Sequence, residues 1–189
     1  MNILGIDPGT IRMGYAVVKT VNQQPVELVN IGYIDLLKIS HHPEKLKIIY
    51  EKLEEIIQKY DPKIMSIEAP FYGKNVQSML KLGRSQGVAM AVAFAHQLSV
   101  VEYSPKKIKL SITGNGNASK EQVAKILKSI LNFEYTDIYL DATDAMAAAI
   151  CYCFQLKNPI INSSSNHKTK NNKKNSWEKF LEQNPDRKL

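Results

Sequence analysis

The chain has 189 residues, 44% of them hydrophobic and 23% charged, which is an ordinary globular composition for one domain or one domain with a tail. Its net charge of +7 is unevenly spread: residues 157–189 hold seven lysines, one arginine, two glutamates and one aspartate, so +5 of the excess lies in the last sixth of the chain. No apolar run approaches the ~20 residues of a membrane span, the first residues lack the basic region of a signal peptide, and a basic tail favours a polyanionic partner.

Taken in chain order, 2–7 is a short apolar run closed by the turn Asp7-Pro8-Gly9-Thr10, and runs at 14–18 and 26–37 follow with hairpin-length links. Short strands separated by Gly, Pro and Asn predict an antiparallel meander. Leu46, Ile49, Leu53, Ile56 and Tyr60 recur at helical spacing, and Asp61-Pro62 stops that helix. Ile64-Met65-Ser66-Ile67 reads as a buried strand ending at Glu68. Residues 74–97 read as a helix with Val76, Leu80, Gly83, Gly87, Met90, Ala91 and Phe94 on one side. Its two glycines each cost about 1 kcal/mol against Ala, which predicts a close backbone approach there. A strand at 99–103 precedes a short basic helix opened by Pro105 and a Gly-rich loop at 113–117. Ser119 and Gln122 form a capping box for the next helix, and an Ala-rich helix spans 141–154. Hairpin links first and helical crossovers later predict an α/β fold with a mixed sheet and helices on its faces. The domain ends near 156, and 157–189 reads as a basic, disordered tail rich in Asn, Ser and Lys, in which 176–181 could form a short amphipathic turn. Cys151 and Cys153, two apart on a helix, read as buried free thiols of a reducing cytoplasm and show no zinc-type spacing with the histidines.

Four carboxylates stand out by position. Asp7 and Glu68 end strands, and Asp141 and Asp144 share one face of the last helix at i and i+3. If the first and fourth strands are neighbours, Asp7 and Glu68 lie side by side. Acids meeting at one place repel, and hard oxygen ligands select Mg²⁺ or Mn²⁺. Two such ions could stabilise the attacking water and the leaving oxygen of a phosphodiester. Each acid also has a structural reading: Asp7 as a turn residue, Glu68 as a lysine partner, Asp141 and Asp144 as helix-start residues. The segment from Lys106 to Lys120, with its glycines, suits phosphate contacts or a solvated turn, and Phe71-Tyr72 suits either base stacking or the core.

These stretches resemble the RuvC family, the bacterial Holliday-junction endonucleases of the ribonuclease H-like superfamily. The matching segments are Ile3-Leu4-Gly5-Ile6-Asp7-Pro8-Gly9-Thr10 with Gly14-Tyr15-Ala16, Ile67-Glu68-Ala69-Pro70-Phe71 with Lys74-Asn75, and Leu82-Gly83-Arg84-Ser85-Gln86-Gly87. They continue in Tyr103-Ser104-Pro105 with Lys109, the 113–120 stretch from Thr113 to Lys120, and Asp141-Ala142-Thr143-Asp144-Ala145 with Ala148-Ala149-Ile150. Six segments in register cover residues 1 to about 155. The resemblance implies a ribonuclease H-like fold with a five-stranded mixed sheet flanked by helices on both faces, and a homodimer. It implies two Mg²⁺ ions, with Mn²⁺ able to substitute, held by Asp7, Glu68, Asp141 and Asp144. Lys74, Lys109 and Lys120 match basic DNA-facing positions, and Phe71 matches an aromatic that stacks on an unpaired base. The implied activity is symmetric paired nicking of four-way DNA junctions in recombination and repair, leaving 5′-phosphate ends that can be ligated, alongside a RuvA–RuvB branch-migration complex. Ala69 departs from the polar or acidic residue that many members carry, and the tail matches no family motif. Three other readings are an actin-like ATPase lobe, which lacks a second phosphate loop, an inactive junction binder, and a nuclease of RNA precursors.

Overall fold

A computed structural model of the chain describes residues 1–22, 24–70, 75–131 and 140–157. The strands are β1 (Asn2–Asp7), β2 (Arg12–Val21), β3 (Gln24–Asp35), β4 (Pro62–Glu68) and β5 (Ser99–Tyr103). They form one sheet in the order β3-β2-β1-β4-β5. The hairpin-linked pairs β1–β2 and β2–β3 are antiparallel, and β1–β4 and β4–β5 are parallel. This is the expected split, because a parallel neighbour can be reached only through a crossover. The crossovers are α1 (His42–Tyr60) and α2 (Val76–Ala95), and α3 (Pro105–Thr113), α4 (Lys120–Leu131) and α5 (Leu140–Lys157) follow. α5 ends at Lys157, one residue past the expected boundary of the folded domain. The tail beyond it, including 176–181, lies outside the described residues.

The element ends are set by local chemistry. α1 stops where Asp61 takes a left-handed conformation (φ 43°) and Pro62 begins β4. Asn75 caps α2 by accepting from the Ser78 N–H at 3.0 Å. Ser104 and Pro105 open α3, and Gly114 closes it at φ 75°. The capping box forms as expected: the Ser119 N–H donates to Gln122 Oε1 at 2.9 Å, and the Gln122 N–H donates to Ser119 Oγ at 3.3 Å.

Side chains alternate across the sheet and build two cores. On one face Leu4, Ile6, Met13, Val17, Met65 and Ile67 pack beneath Ile49, Leu53 and Ile56 of α1 and Val92 of α2. On the other, Ile3, Ala16, Val18 and Tyr103 pack under α3, α4 and the alanines of α5. The close packing expected of Ala145, Ala148 and Ala149 is present. A Cβ on Gly5 would overlap the Ala145 carbonyl, and one on Gly14 would overlap the Asp141 carbonyl, so α5 seats directly on the backbone of β1 and β2. Ser66, fully buried beside Gly5 in the register, donates its hydroxyl to the Ala148 carbonyl at 2.6 Å.

The expected backbone approach at Gly83 and Gly87 is not found: a Cβ at either would meet nothing within 4 Å among the described residues. The two glycines lie instead on an outward stripe of α2 with the exposed Val76, Leu80 and Phe94. Cys151 and Cys153 are buried, as expected, and neither is in a disulfide among the described residues. Among the described residues no helix is long and apolar enough to cross a membrane.

Candidate active site

Strand alternation decides where the acids point. Gly5 and Ser66 face α5, so Asp7 and Glu68, two residues further along β1 and β4, face the same side. Ile6 pairs with Ile67, which places Asp7 and Glu68 side by side at the ends of adjacent parallel strands. α5 begins over this edge. Gly14, the partner of Asp7 in the β1–β2 ladder, is the residue whose missing Cβ admits the Asp141 carbonyl. Asp144, one turn further along α5, joins Asp7 and Glu68 around a cavity of about 380 Å³. Lys109 of α3 and Lys120 of α4 complete its polar wall, and Pro105, Ile108, Val123 and Ala147 supply the apolar remainder.

The electrostatics of this cavity are unusual for carboxylates. Burial, reinforced by the charges of Glu68, Asp144 and Asp141, pushes the Asp7 carboxyl up to about 8. Burial and Asp144 push Glu68 up to about 7, against the pull of Lys120 and Lys109. Asp144 is also raised, chiefly by burial, although it forms an ion pair with the Lys120 ammonium. Burial opposes the charge of Lys120, but its hydrogen bond to Asp144 and the charges of Asp144, Asp7 and Asp141 raise it on balance. The cluster thus gathers more carboxyl groups than two lysines can neutralise, and burial makes Asp7 and Glu68 hold their protons into the neutral range. Asp141 acts on Asp7 and Asp144 through its charge but does not line the cavity.

Carboxylate oxygens gathered at one point are the donor set of a hard divalent cation. Among the described residues, however, no three acids, histidines or cysteines stand close enough to hold one ion between them as placed. The Lys120 ammonium is paired with the Asp144 carboxylate. The donor chemistry therefore fits a divalent cation, with the lysine as the local counter-charge.

The Gly-rich loop does something other than offer free amides. Its Asn115 N–H donates to Thr113 Oγ1 at 3.0 Å, its Asn117 N–H to Asn115 Oδ1 at 3.0 Å, and its Ala118 N–H to the Asn115 carbonyl at 3.1 Å. A loop bonded to itself in this way holds Lys109 and Lys120 at fixed separation on either side of it. Phe71 and Lys74 lie outside the described residues. The residues that sequence reasoning left unassigned are the platform of Gly5, Gly14 and Ser66. Small residues at alternate strand positions, all on the face that ends in an acid, are the signal that could have found them.

A mixed five-stranded sheet with acids at the ends of its two central parallel strands, and a further acid brought by a closely seated helix, defines the ribonuclease H-like class of α/β nucleases. The comparisons agree and go further. The family model for "Crossover junction endodeoxyribonuclease RuvC" matches residues 3–152. The curated protein of that name from Bacteroides fragilis is 48% identical over 187 residues, covering 98% of this chain and 94% of its own. That from Porphyromonas gingivalis is 47% identical over 187 residues, covering 98% of this chain and 95% of its own. Among solved structures, Thermus thermophilus RuvC in complex with Holliday junction substrate matches with a TM-score of 0.78 at 24% identity, over 84% of this chain and 96% of that one. The yeast mitochondrial Holliday junction resolvase shares the fold at a TM-score of 0.62 and 15% identity, over 86% of this chain and 82% of that one. The chain belongs to the RuvC family of crossover junction endodeoxyribonucleases.

Proposed function

We propose that this chain resolves four-way DNA junctions by symmetric paired nicks, with Asp7, Glu68, Asp141 and Asp144 as its catalytic acids. The observation that carries the reading is the juxtaposition of Asp7, Glu68 and Asp144 in one cavity whose other polar wall is Lys109 and Lys120. The acids would hold two divalent cations, Mg²⁺ by preference and Mn²⁺ as a substitute. Bound there, the ions supply water activation and charge stabilisation at the leaving oxygen. The protein's own residues do the rest. Asp7 and Glu68, held on adjacent strands, and Asp144, carried by α5, would present their carboxylates to the ions at fixed positions. Lys109 and Lys120 attract the DNA backbone and offset its charge at the mouth of the cavity. The apolar wall of Ile108 and Val123 limits water beside the acids.

The same proposal includes Phe71 stacking on an unpaired base and Lys74 contacting the backbone beside it, both on the segment that joins β4 to α2. It includes a homodimer, which the exposed stripe of Val76, Leu80 and Phe94, open at Gly83 and Gly87, favours as the surface for a second copy. The RuvA–RuvB branch-migration complex is the partner the family likeness suggests. Incubation with a synthetic four-way junction and Mg²⁺, with linear DNA duplex and RNA duplex in parallel, tests the reading. Paired nicks at symmetric positions in the junction alone are expected. Cleavage of RNA with the junction left intact would replace this function by the RNA-precursor reading.

A further inference from the structure

A second cluster of charge lies beyond the acid cavity. At the start of α1, His42 and Lys45 share one face at i and i+3, and on α2 Lys81 and Arg84 share another at the same spacing. The His96 imidazole at the C-cap of α2 meets the Glu54 carboxylate of α1 at 3.6 Å, and His42 and Arg84 each lie twelve residues earlier on these two helices, which brings the start of α1 beside Lys81 and Arg84 at one end of the α1–α2 layer. Burial, joined by the charges of Arg84, Lys81 and Lys45, lowers the affinity of His42 for a proton. Lys81 and Arg84 are exposed, and neither they nor Lys45 enters a salt bridge among the described residues. Among the described residues the buried His42 Nε2 atom meets no hydrogen-bond partner, and the N-cap residue of α1, His41, makes no side-chain cap. Three cations held together without a carboxylate partner among the described residues repel one another, and an anion relieves that repulsion. The nearest acid in sequence, Glu44, is exposed in the same turn.

The cluster is tied to the catalytic edge. Lys45 Nζ donates to the Thr10 carbonyl at 2.7 Å, and Thr10 stands three residues after Asp7 in the turn that closes β1. Three residues span at most on the order of 10 Å, about three steps along a DNA strand at roughly 3.4 Å each.

We propose that His42, Lys45, Lys81 and Arg84 form a second anchorage for the DNA backbone, holding phosphates a few nucleotides from the cut on the strand that passes over the Thr10 turn. The proposal rests on the reading of this chain as a DNA nuclease. It adds a DNA-facing surface on the α1–α2 side of the sheet, opposite the wall formed by Lys109 and Lys120.

The test is the salt dependence of junction binding, measured with Ca²⁺ in place of Mg²⁺. Each phosphate that is no longer neutralised should flatten the plot of log affinity against log salt by about 0.9. The double variant Lys81→Ala, Arg84→Ala is therefore expected to flatten it by nearly 2 per protomer. The control Lys59→Ala, Lys63→Ala removes the same charge at the far end of α1 and should leave the slope unchanged. The exchange Lys81→Arg, Arg84→Lys, which keeps the charge, should restore the wild-type slope and separates a missing anchorage from misfolding. Equal flattening in the control, or no flattening in the alanine pair while wild type binds the junction, would overturn the anchorage and leave the nuclease reading standing. A wild-type protein that does not bind the junction would overturn both.

Discussion

The two faces of the sheet solve different problems. Beneath α1 and α2 the strands present large aliphatic side chains, Leu4, Ile6, Met65 and Ile67, and the helices answer with Ile49, Leu53 and Ile56. Beneath α5 the central strands present Gly5, Gly14 and Ser66, and the helix answers with Ala145, Ala148 and Ala149. The first face buries the most hydrocarbon per residue and supplies stability. The second gives up that area so that a helix can lie against the strand backbone, which carries Asp144 to Asp7 and Glu68. A site that needs acids at fixed separation is thus built on the face with the least room to adjust.

Substitutions can break this contrast. Gly5→Val places a branched side chain where the Ala145 carbonyl and Ala149 already stand, and should lift the first turns of α5 off the sheet. An overpacked site costs about 1–3 kcal/mol, and displacement of a catalytic group by about 1 Å can cost 10²-fold in rate. Denaturant unfolding and junction cleavage should therefore both fall, cleavage by roughly two orders of magnitude. Leu53→Ala on the opposite face should cost about 2–5 kcal/mol in the same unfolding measurement. Below its lowered melting temperature it should cleave at the wild-type rate, because nothing it touches lines the acid cavity.

A pH series sharpens the comparison without mutation. Asp7 and Glu68 are held up to about 8 and about 7 in the fold, above their ordinary 3.8 and 4.5. Between these limits the folded state keeps protons that the unfolded chain has released, so stability falls as pH rises from about 4 to about 8. Melting scans without divalent cations should show that decline, and Asp7→Asn should flatten it. Mg²⁺ should raise the melting temperature more at pH 8 than at pH 5, where protons still occupy the carboxylates. The smallest expected effect is that of Ser66→Ala, which removes the hydroxyl donor to the Ala148 carbonyl and should cost about 0.5–1.5 kcal/mol. Ala148 remains within its helix, so the change should be seen in unfolding midpoint with little effect on cleavage.

Much of this was legible in the sequence because it depends on local pattern. The hairpin strands, the helix stops at Asp61-Pro62 and Gly114, and the Ser119–Gln122 capping box all follow from residues within a few positions of one another. The meeting of Asp7 with Glu68 needed the pairing of β1 with β4, which the sequence left as a condition and the sheet order meets. What was not legible depends on through-space fit. Gly83 and Gly87 signalled a close neighbour, but the described residues of their own chain supply none, since an intramolecular and an intermolecular approach leave the same residues in a helix. Gly5 and Gly14 stand inside the runs expected to be strands with no packing role assigned to them, and only the path of α5 assigns them as its seat. The loop after α3 read as phosphate-contacting or as a solvated turn, and its sequence did not show that Thr113 and Asn115 side chains accept from the Asn115 and Asn117 amides. The Lys120–Asp144 pair joins residues 24 apart on different helices, beyond any local rule.

The central claim is that the carboxylates at the ends of β1 and β4 drive strand cleavage, and Asp7→Asn tests it most directly. The substitution keeps the shape of the side chain and removes its charge. With a four-way junction, the wild type should nick opposing strands in Mg²⁺ and bind without nicking in Ca²⁺. Asp7→Asn should bind equally well in Ca²⁺ and leave the junction uncut in Mg²⁺. Cleavage by Asp7→Asn at the wild-type rate would contradict the account and place the chemistry elsewhere on the molecule.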